Sequence, residues 1–273
     1  NKFFKTLFFL ATLFALLALG VLFYRIITQG IGYLSLDFFT NFGSRFPEKA
    51  GIKAALIGSL WMMAVVTPVS LILGVGSAIY LEEYAKKGKI NDFIRMNISN
   101  LAGVPSVVFG LLGLTIFFIV LALGNSILAA GFTMSLLILP VIIVSSQEAI
   151  RAVPKDLREA SYGMGATKWQ TIAKVVLPSA IPGILTGGIL ALSRAIGETA
   201  PLVVIGIPVI IQFVPENLLS QFTAMPMQIF DWAKRPQEAF QSVASAGIIV
   251  LMVFLLLMNS IAVFIRNKYQ KRY

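Results

Sequence analysis

The chain has no cysteine and no histidine in 273 residues. Those two absences exclude disulfides, thiolate or imidazole metal sites, and any nucleophile paired with a histidine base. Charge is scarce as well. Only 12% of residues are Asp, Glu, Lys or Arg, against about 25% in an ordinary soluble protein, which is too few to clothe a water-facing surface. Acidic residues are the scarcer sign, 12 against 22 basic, leaving a formal net charge of +10. A basic excess suits nucleic acid or a membrane protein equally, so the placement of the charges has to decide. What fills the chain instead is apolar, 58% of its residues, with a mean hydropathy of +0.87.

The apolar residues come in long runs. A helix needs about 20 of them to cross a hydrocarbon core of roughly 30 Å. Six segments qualify: Leu7–Ile27, Ala54–Tyr80, Leu101–Leu123, Ser126–Ser146, Ala180–Ile207 and Gly247–Ile265. They are apolar all round, unlike the amphipathic helices of a soluble core, and none alternates with period two as a barrel strand would. The first is longer than the core of a signal peptide and is expected to be a retained helix. The expectation is an all-α polytopic membrane protein, one transmembrane domain over residues 1–273.

Lys and Arg sort to one side. With the N-terminus inside, the inner segments hold Lys2 and Lys5, then Lys86, Lys87, Lys89 and Arg95, then Arg151, Lys155, Arg158, Lys168 and Lys174, then Arg266, Lys268, Lys271 and Arg272. The outer face and its margin hold only Arg25, Arg45, Lys49, Lys53, Lys234 and Arg235. By the positive-inside rule both termini are expected in the cytoplasm. The basic excess is then a topology signal, and no nucleic-acid partner is needed.

The polar stretch 147–178 is expected on that inner side. Pro154 suits the start of a helix running to Tyr162, and Gly163 and Gly165 allow a sharp turn after it. Thr167 and Gln170 have the spacing of a capping box that opens a second short helix. Trp169, Ile172, Ala173 and Val176 would give that second helix an apolar face. The GMGATK stretch lacks a preceding strand, and no GxxxxGK[ST] occurs in the chain, so nucleotide binding is not expected here.

Within this loop, Glu159-Ala160-Ser161, three residues, Gly165, nine residues, then Val175-Val176-Leu177-Pro178 resembles the EAA motif of ABC importer permeases. Three further stretches narrow the likeness: GVPSVVFG at 103–110, RAIGETAP at 194–201 and RPQEAF at 235–240. These resemble the PstA-type permeases of phosphate importers over most of the chain. The resemblance implies a type I ABC importer permease fold. It implies that Glu159, Ala160, Ser161, Gly165, Leu177 and Pro178 form a coupling loop seated on a separate ATPase. It also implies a PstC-type second permease, a PstB-type ATPase dimer carrying ATP and Mg²⁺, a PstS-type phosphate-binding protein, and a bacterial or archaeal inner-membrane location. No cofactor is expected on this chain itself, and no bond cleavage.

One feature stands out from composition alone. Arg194 and Glu198 sit four residues apart within the fifth apolar run. On a regular helix from Pro182 to Gly206 they would share a face near its middle. An arginine at a bilayer centre costs about +3 to +17 kcal/mol, so it must be paired or solvated. Either the pair neutralises itself and fixes packing, or Arg194 meets an anion on a path with Glu198 holding it. Ser193 and Thr199 are the polar neighbours on that candidate path. The outer segment 208–242, with Phe230–Trp232, is expected to shape an outer mouth that receives a binding protein. Spacing alone does not distinguish phosphate from sulfate or molybdate, and charged broken helices also suit a secondary transporter or channel.

Overall fold

In the computed structural model, residues 2–86 and 88–269 are described. Lys87, Lys271 and Arg272, counted above among the inner charges, lie outside the described residues, as does the side chain of Lys268. The described chain is helical, without strands. Its helices are α1 (Lys2–Gly30), α2 (Leu36–Thr40), α3 (Lys53–Ile79), α4 (Lys89–Leu101), α5 (Ser106–Gly113), α6 (Ile127–Arg151), α7 (Lys155–Gly163), α8 (Lys168–Thr171), α9 (Leu177–Gly197), α10 (Ala200–Val204), α11 (Met225–Lys234) and α12 (Glu238–Tyr269). π-Helical turns extend α3 over Tyr80–Tyr84, extend α5 over Leu114–Val120, and join α8 to α9 over Ile172–Val176. Among the described residues, five helical stretches are long and apolar enough to cross a membrane, Lys2–Tyr33, Lys53–Tyr84, Ile127–Arg151, Lys168–Gly197 and Glu238–Asn267, and the bent pair Lys89–Leu101 with Ser106–Val120 makes six if it counts as one span.

Helix α6 is the centre of the bundle. It packs most extensively on α3 and α9 and also meets α5. On α3, Ala55, Ser59, Met62, Val66, Ser70, Gly74 and Ala78 form a buried stripe of small or flexible side chains at helical spacing. Such residues let two helices approach closely where no solvent drives them together. The same logic holds between α6 and α9, where a β-carbon on Gly187 would overlap Ser145. A second core lies around Trp232, Phe38 and Phe240. Helix α1, in contrast, contacts chiefly α12 and leaves its apolar surface bare.

The structure revises the expected segments in four places. The run Leu101–Leu123 is helical only over Ser106–Val120, and it leaves the preceding α4, which ends at Leu101, at a bend of 104°. Gly103 loosens the chain there, and Pro105 forces the residue before it out of the helical region. The second helix of the 147–178 loop is not short, since Lys168–Gly197 runs as one continuous helix of 30 residues through Pro178 and Pro182. The expected span Ala180–Ile207 ends early, because Glu198 is extended (φ −75°, ψ 126°). Gly197 closes α9 and Pro201 opens α10, a C-terminal glycine and N-terminal proline flanking the break. Finally, Trp232 is fully buried (0% exposed), so it belongs to the core and Phe230–Trp232 is not a free docking strip.

Candidate functional site

Two regions carry the residues singled out above. The first is the segment after α6. Pro154, at φ −54° and ψ 140°, stands just before α7 and starts it. Gly165 has φ +80°, in the left-handed region that only glycine enters without strain, and this turns the chain between α7 and α8. The turn is tied by Ala166 N–H donating to Ser161 O at 3.2 Å. Thr167 Oγ1 accepts from Gln170 N–H at 3.3 Å, and Gln170 Oε1 accepts from Thr167 N–H at 2.8 Å. That completes the capping box at the head of the long helix.

Ser161 and Thr171 then join the two arms, their hydroxyl oxygens 2.9 Å apart. Ile172 and Val176 are buried, the latter in a small core with Ile150, Val153 and Ala180. Trp169 does not join them. It stays exposed, because the bundle covers only the Ile172–Val176 side of the helix. Glu159, Ala160 and Pro178 are exposed and Leu177 half-buried. Met164 is 89% exposed at the tip of the turn. Among the described residues Glu159 has no ion-pair partner, although its neighbour Arg158 is bound through both terminal nitrogens, with only its buried Nε left without a partner there.

The second region is the break after α9. Arg194 is in the last turn of α9, a favourable place for a cation on the helix dipole. It is not at mid-helix as the regular-helix expectation had it. Its Nε donates to Glu198 Oε1 at 3.4 Å. Neither Nη1 nor Nη2 has a partner among the described residues. The side chain is 45% exposed and shares its stripe with exposed Leu190 and Gly197. Ser193 points elsewhere: its Oγ lies 2.7 Å from Ile189 O and 2.5 Å from Asn259 Oδ1 on α12. Thr199 makes no side-chain cap and offers its carbonyl to Val203 N–H at 3.0 Å. Thus Arg194, Glu198 and Thr199 share the break, while Ser193 pins α9 to α12.

The break also meets α5. A β-carbon on Gly110 would lie 2.9 Å from Pro201 Cα, so the 103–110 and 194–201 stretches, far apart in sequence, touch through that glycine. The RPQEAF stretch has a different task. Arg235 bonds Asp231 at 2.7 and 3.0 Å and stacks 4.3 Å over Phe240, clipping α11 to α12.

The sequence reading missed one cluster. In the π-helical turn after α3, Glu82 accepts from Gln147 (2.9 Å), from Arg151 through two nitrogens (2.8 and 3.0 Å) and from Arg95 (2.6 Å). Glu83 accepts from Arg158 Nη1 at 2.5 Å, whose Nη2 donates to Ile150 O at 2.7 Å. The two carboxylates are only 10% and 7% exposed. The available signal was two adjacent acids ending an apolar run in a chain with 12 acids in all.

The geometry is that of a helical bundle with an exposed arm continuous with one apolar helix, and a half-exposed arginine at a helix break. The chain belongs to the family described as "Binding-protein-dependent transport system inner membrane component", whose model matches residues 70–271. It is 38% identical over 192 residues to the probable ABC transporter permease protein YqgI of Bacillus subtilis, covering 70% of this chain and 65% of that one. It is 32% identical over 262 residues to the phosphate transport system permease protein PstA of Pasteurella multocida (96% and 92% covered) and 34% identical to that of Yersinia pestis (94% and 87%). In fold it matches a permease of the inward-facing MetNI methionine ABC transporter (TM-score 0.64, 16% identity, 80% and 97% covered). It likewise matches one chain of a bacterial alginate ABC importer (0.65, 15%, 99% and 100%). The architecture is therefore that of a type I ABC importer permease, and a secondary transporter or channel is not favoured.

Proposed function

We propose that this chain is the PstA-type permease of an ATP-driven importer of inorganic phosphate. It would form the path with a PstC-type permease, above a PstB-type ATPase dimer that holds ATP and Mg²⁺, and would receive phosphate from a PstS-type binding protein. Both termini face the cytoplasm in this reading, supported by the clustering of Lys and Arg near α7 and α8. No cofactor is assigned to this chain.

The observation that carries the reading is Arg194. Its Nε holds Glu198 and its two terminal nitrogens are free among the described residues, in a chain that aligns almost end to end with relatives named PstA. A guanidinium held by one edge keeps a planar fork for an oxyanion. Glu198, beside it, keeps the site from becoming a sink, since a path must release what it binds. Glu159, Ala160, Ser161 and Gly165 would seat on the ATPase, and Leu177 and Pro178 would pass its displacement into α9.

The test is ATP-dependent uptake of labelled phosphate by the reconstituted complex, with sulfate as competitor. Uptake that excess sulfate leaves unchanged is expected. Uptake suppressed by sulfate, or none with phosphate, would overturn the substrate assignment.

A further inference from the structure

The π-helical turn Tyr80–Tyr84 reaches four helices at the exposed arm, α4, α6, α7 and α8. Glu82 holds α4 through Arg95 and the end of α6 through Gln147 and Arg151. Glu83 holds α7 through Arg158. Tyr84 takes the Lys168 ammonium 4.9 Å above its ring, at the head of α8. Ala85 N–H closes the turn on Tyr80 O at 2.8 Å. The partners of the two glutamates are 13 to 75 residues away in sequence, so the turn gathers parts that nothing local would keep together. π-Turns are rare and concentrate at working positions, because the extra residue re-aims the side chains that follow.

The pairs are of the strong kind. Arg151 reaches Glu82 with two nitrogens, and both carboxylates are nearly out of solvent, where removing one partner strands the other charge. Arg158 is immediately followed by Glu159, which is exposed and has no ion-pair partner among the described residues. One side of α7 is therefore clamped to α3 while the other stays bare.

We propose that Glu82 and Glu83 are positioning residues that clamp α7 and the cytoplasmic ends of α3, α4 and α6 into one body. A push on α7 is then delivered to α3 and α6 as well as along the α8–α9 helix. Without the clamp, α7 would swing on its turns and only α9 would receive the displacement. This rests on the reading of α7 as the ATPase-facing segment.

The experiment uses the full complex and the absence of native cysteine. In the double variant Glu83→Cys/Arg158→Cys, phosphate taken up per ATP hydrolysed should fall roughly 2- to 30-fold, the range for removing one link of a coupling network, with the ATPase still co-purifying. Bridging the two thiols with a short bis-methanethiosulfonate reagent should restore the ratio, and reductant should abolish that rescue. A merely structural loss would not be reversed by a bridge. Wild-type ratio before bridging, or a further fall after it, would overturn the clamp. Glu83→Gln should give the same fall, and should also hasten amide exchange over Lys155–Gly163 in the purified complex. Unchanged exchange would overturn the clamp too. If the wild-type complex takes up no phosphate, the substrate reading fails by itself, and the exchange measurement still judges the clamp.

Discussion

At the scale of single residues, the same side-chain type does opposite work in different surroundings. Arg235 is consumed by Asp231 and the Phe240 ring, and Arg158 by Glu83 and a carbonyl. Arg194 keeps both terminal nitrogens without a partner among the described residues. Its removal therefore separates a path role from a packing role. Arg194→Ala should abolish phosphate uptake while assembly and ATPase co-purification persist, and Arg194→Lys should retain only a part, because an ammonium cannot offer a planar fork. Loss of the chain from the membrane in Arg194→Ala would show the arginine to be a structural brace. Trp232 makes the contrasting case. As it is fully buried against Phe38, Trp232→Ala should cost about 3–5 kcal/mol of stability, seen as a lowered unfolding temperature of the detergent-purified chain.

At the scale of elements, the decisive one is the continuous helix Lys168–Gly197. A rise of about 1.5 Å per residue makes 30 residues a rod of roughly 45 Å. Its head is fixed by the Thr167–Gln170 box and its far end carries Arg194. In an arm and a transmembrane helix made from one rod, the helical hydrogen bonding is interrupted at the π-helical turn Ile172–Val176 and at Pro178 and Pro182. Inserting one alanine after Lys174 should rotate the arm by about 100° against the span. ATP hydrolysis should then continue without phosphate uptake in proteoliposomes, and normal uptake per ATP would show that the rod is not the transmitter. The capping box and the turn glycine were legible because they depend on residues within four positions of one another. The continuity of the rod was not, since Pro178 and Pro182 read as breakers. In the fold, Val176 and Ala180 are buried against Ile150 and Val153, and that packing holds the helix through its prolines.

At the scale of the whole molecule, the exposed surfaces describe an incomplete machine. The apolar faces of α1 and of the C-terminal half of α12 (Val253, Leu256, Leu257, Ile261 and Phe264) are bare, as membrane lipid or another permease would require. The tip Glu159–Gly165 is exposed apart from half-buried Ser161, and presents Glu159 and Tyr162 with Met164 at its apex. A partner ATPase should co-purify with the chain in detergent, and Glu159→Lys should weaken that capture while leaving Glu83–Arg158 and the fold untouched. Undiminished co-purification together with normal uptake would remove Glu159 from the docking surface.

The sequence alone determined the membrane class, the all-helical character, the clustering of basic residues in a few short segments and the spacing of residues 159–178. All of these are properties of neighbours along the chain, where hydropathy and local capping act. Only the tertiary structure decided that α6 is the core of the bundle, that Gly110 meets Pro201, and that Glu82 and Glu83 collect arginines from three other helices. It also decided that Arg194 closes a helix with its fork uncommitted. Such pairings depend on which helix faces bury one another, and burial between distant segments leaves no periodic trace in the order of the residues.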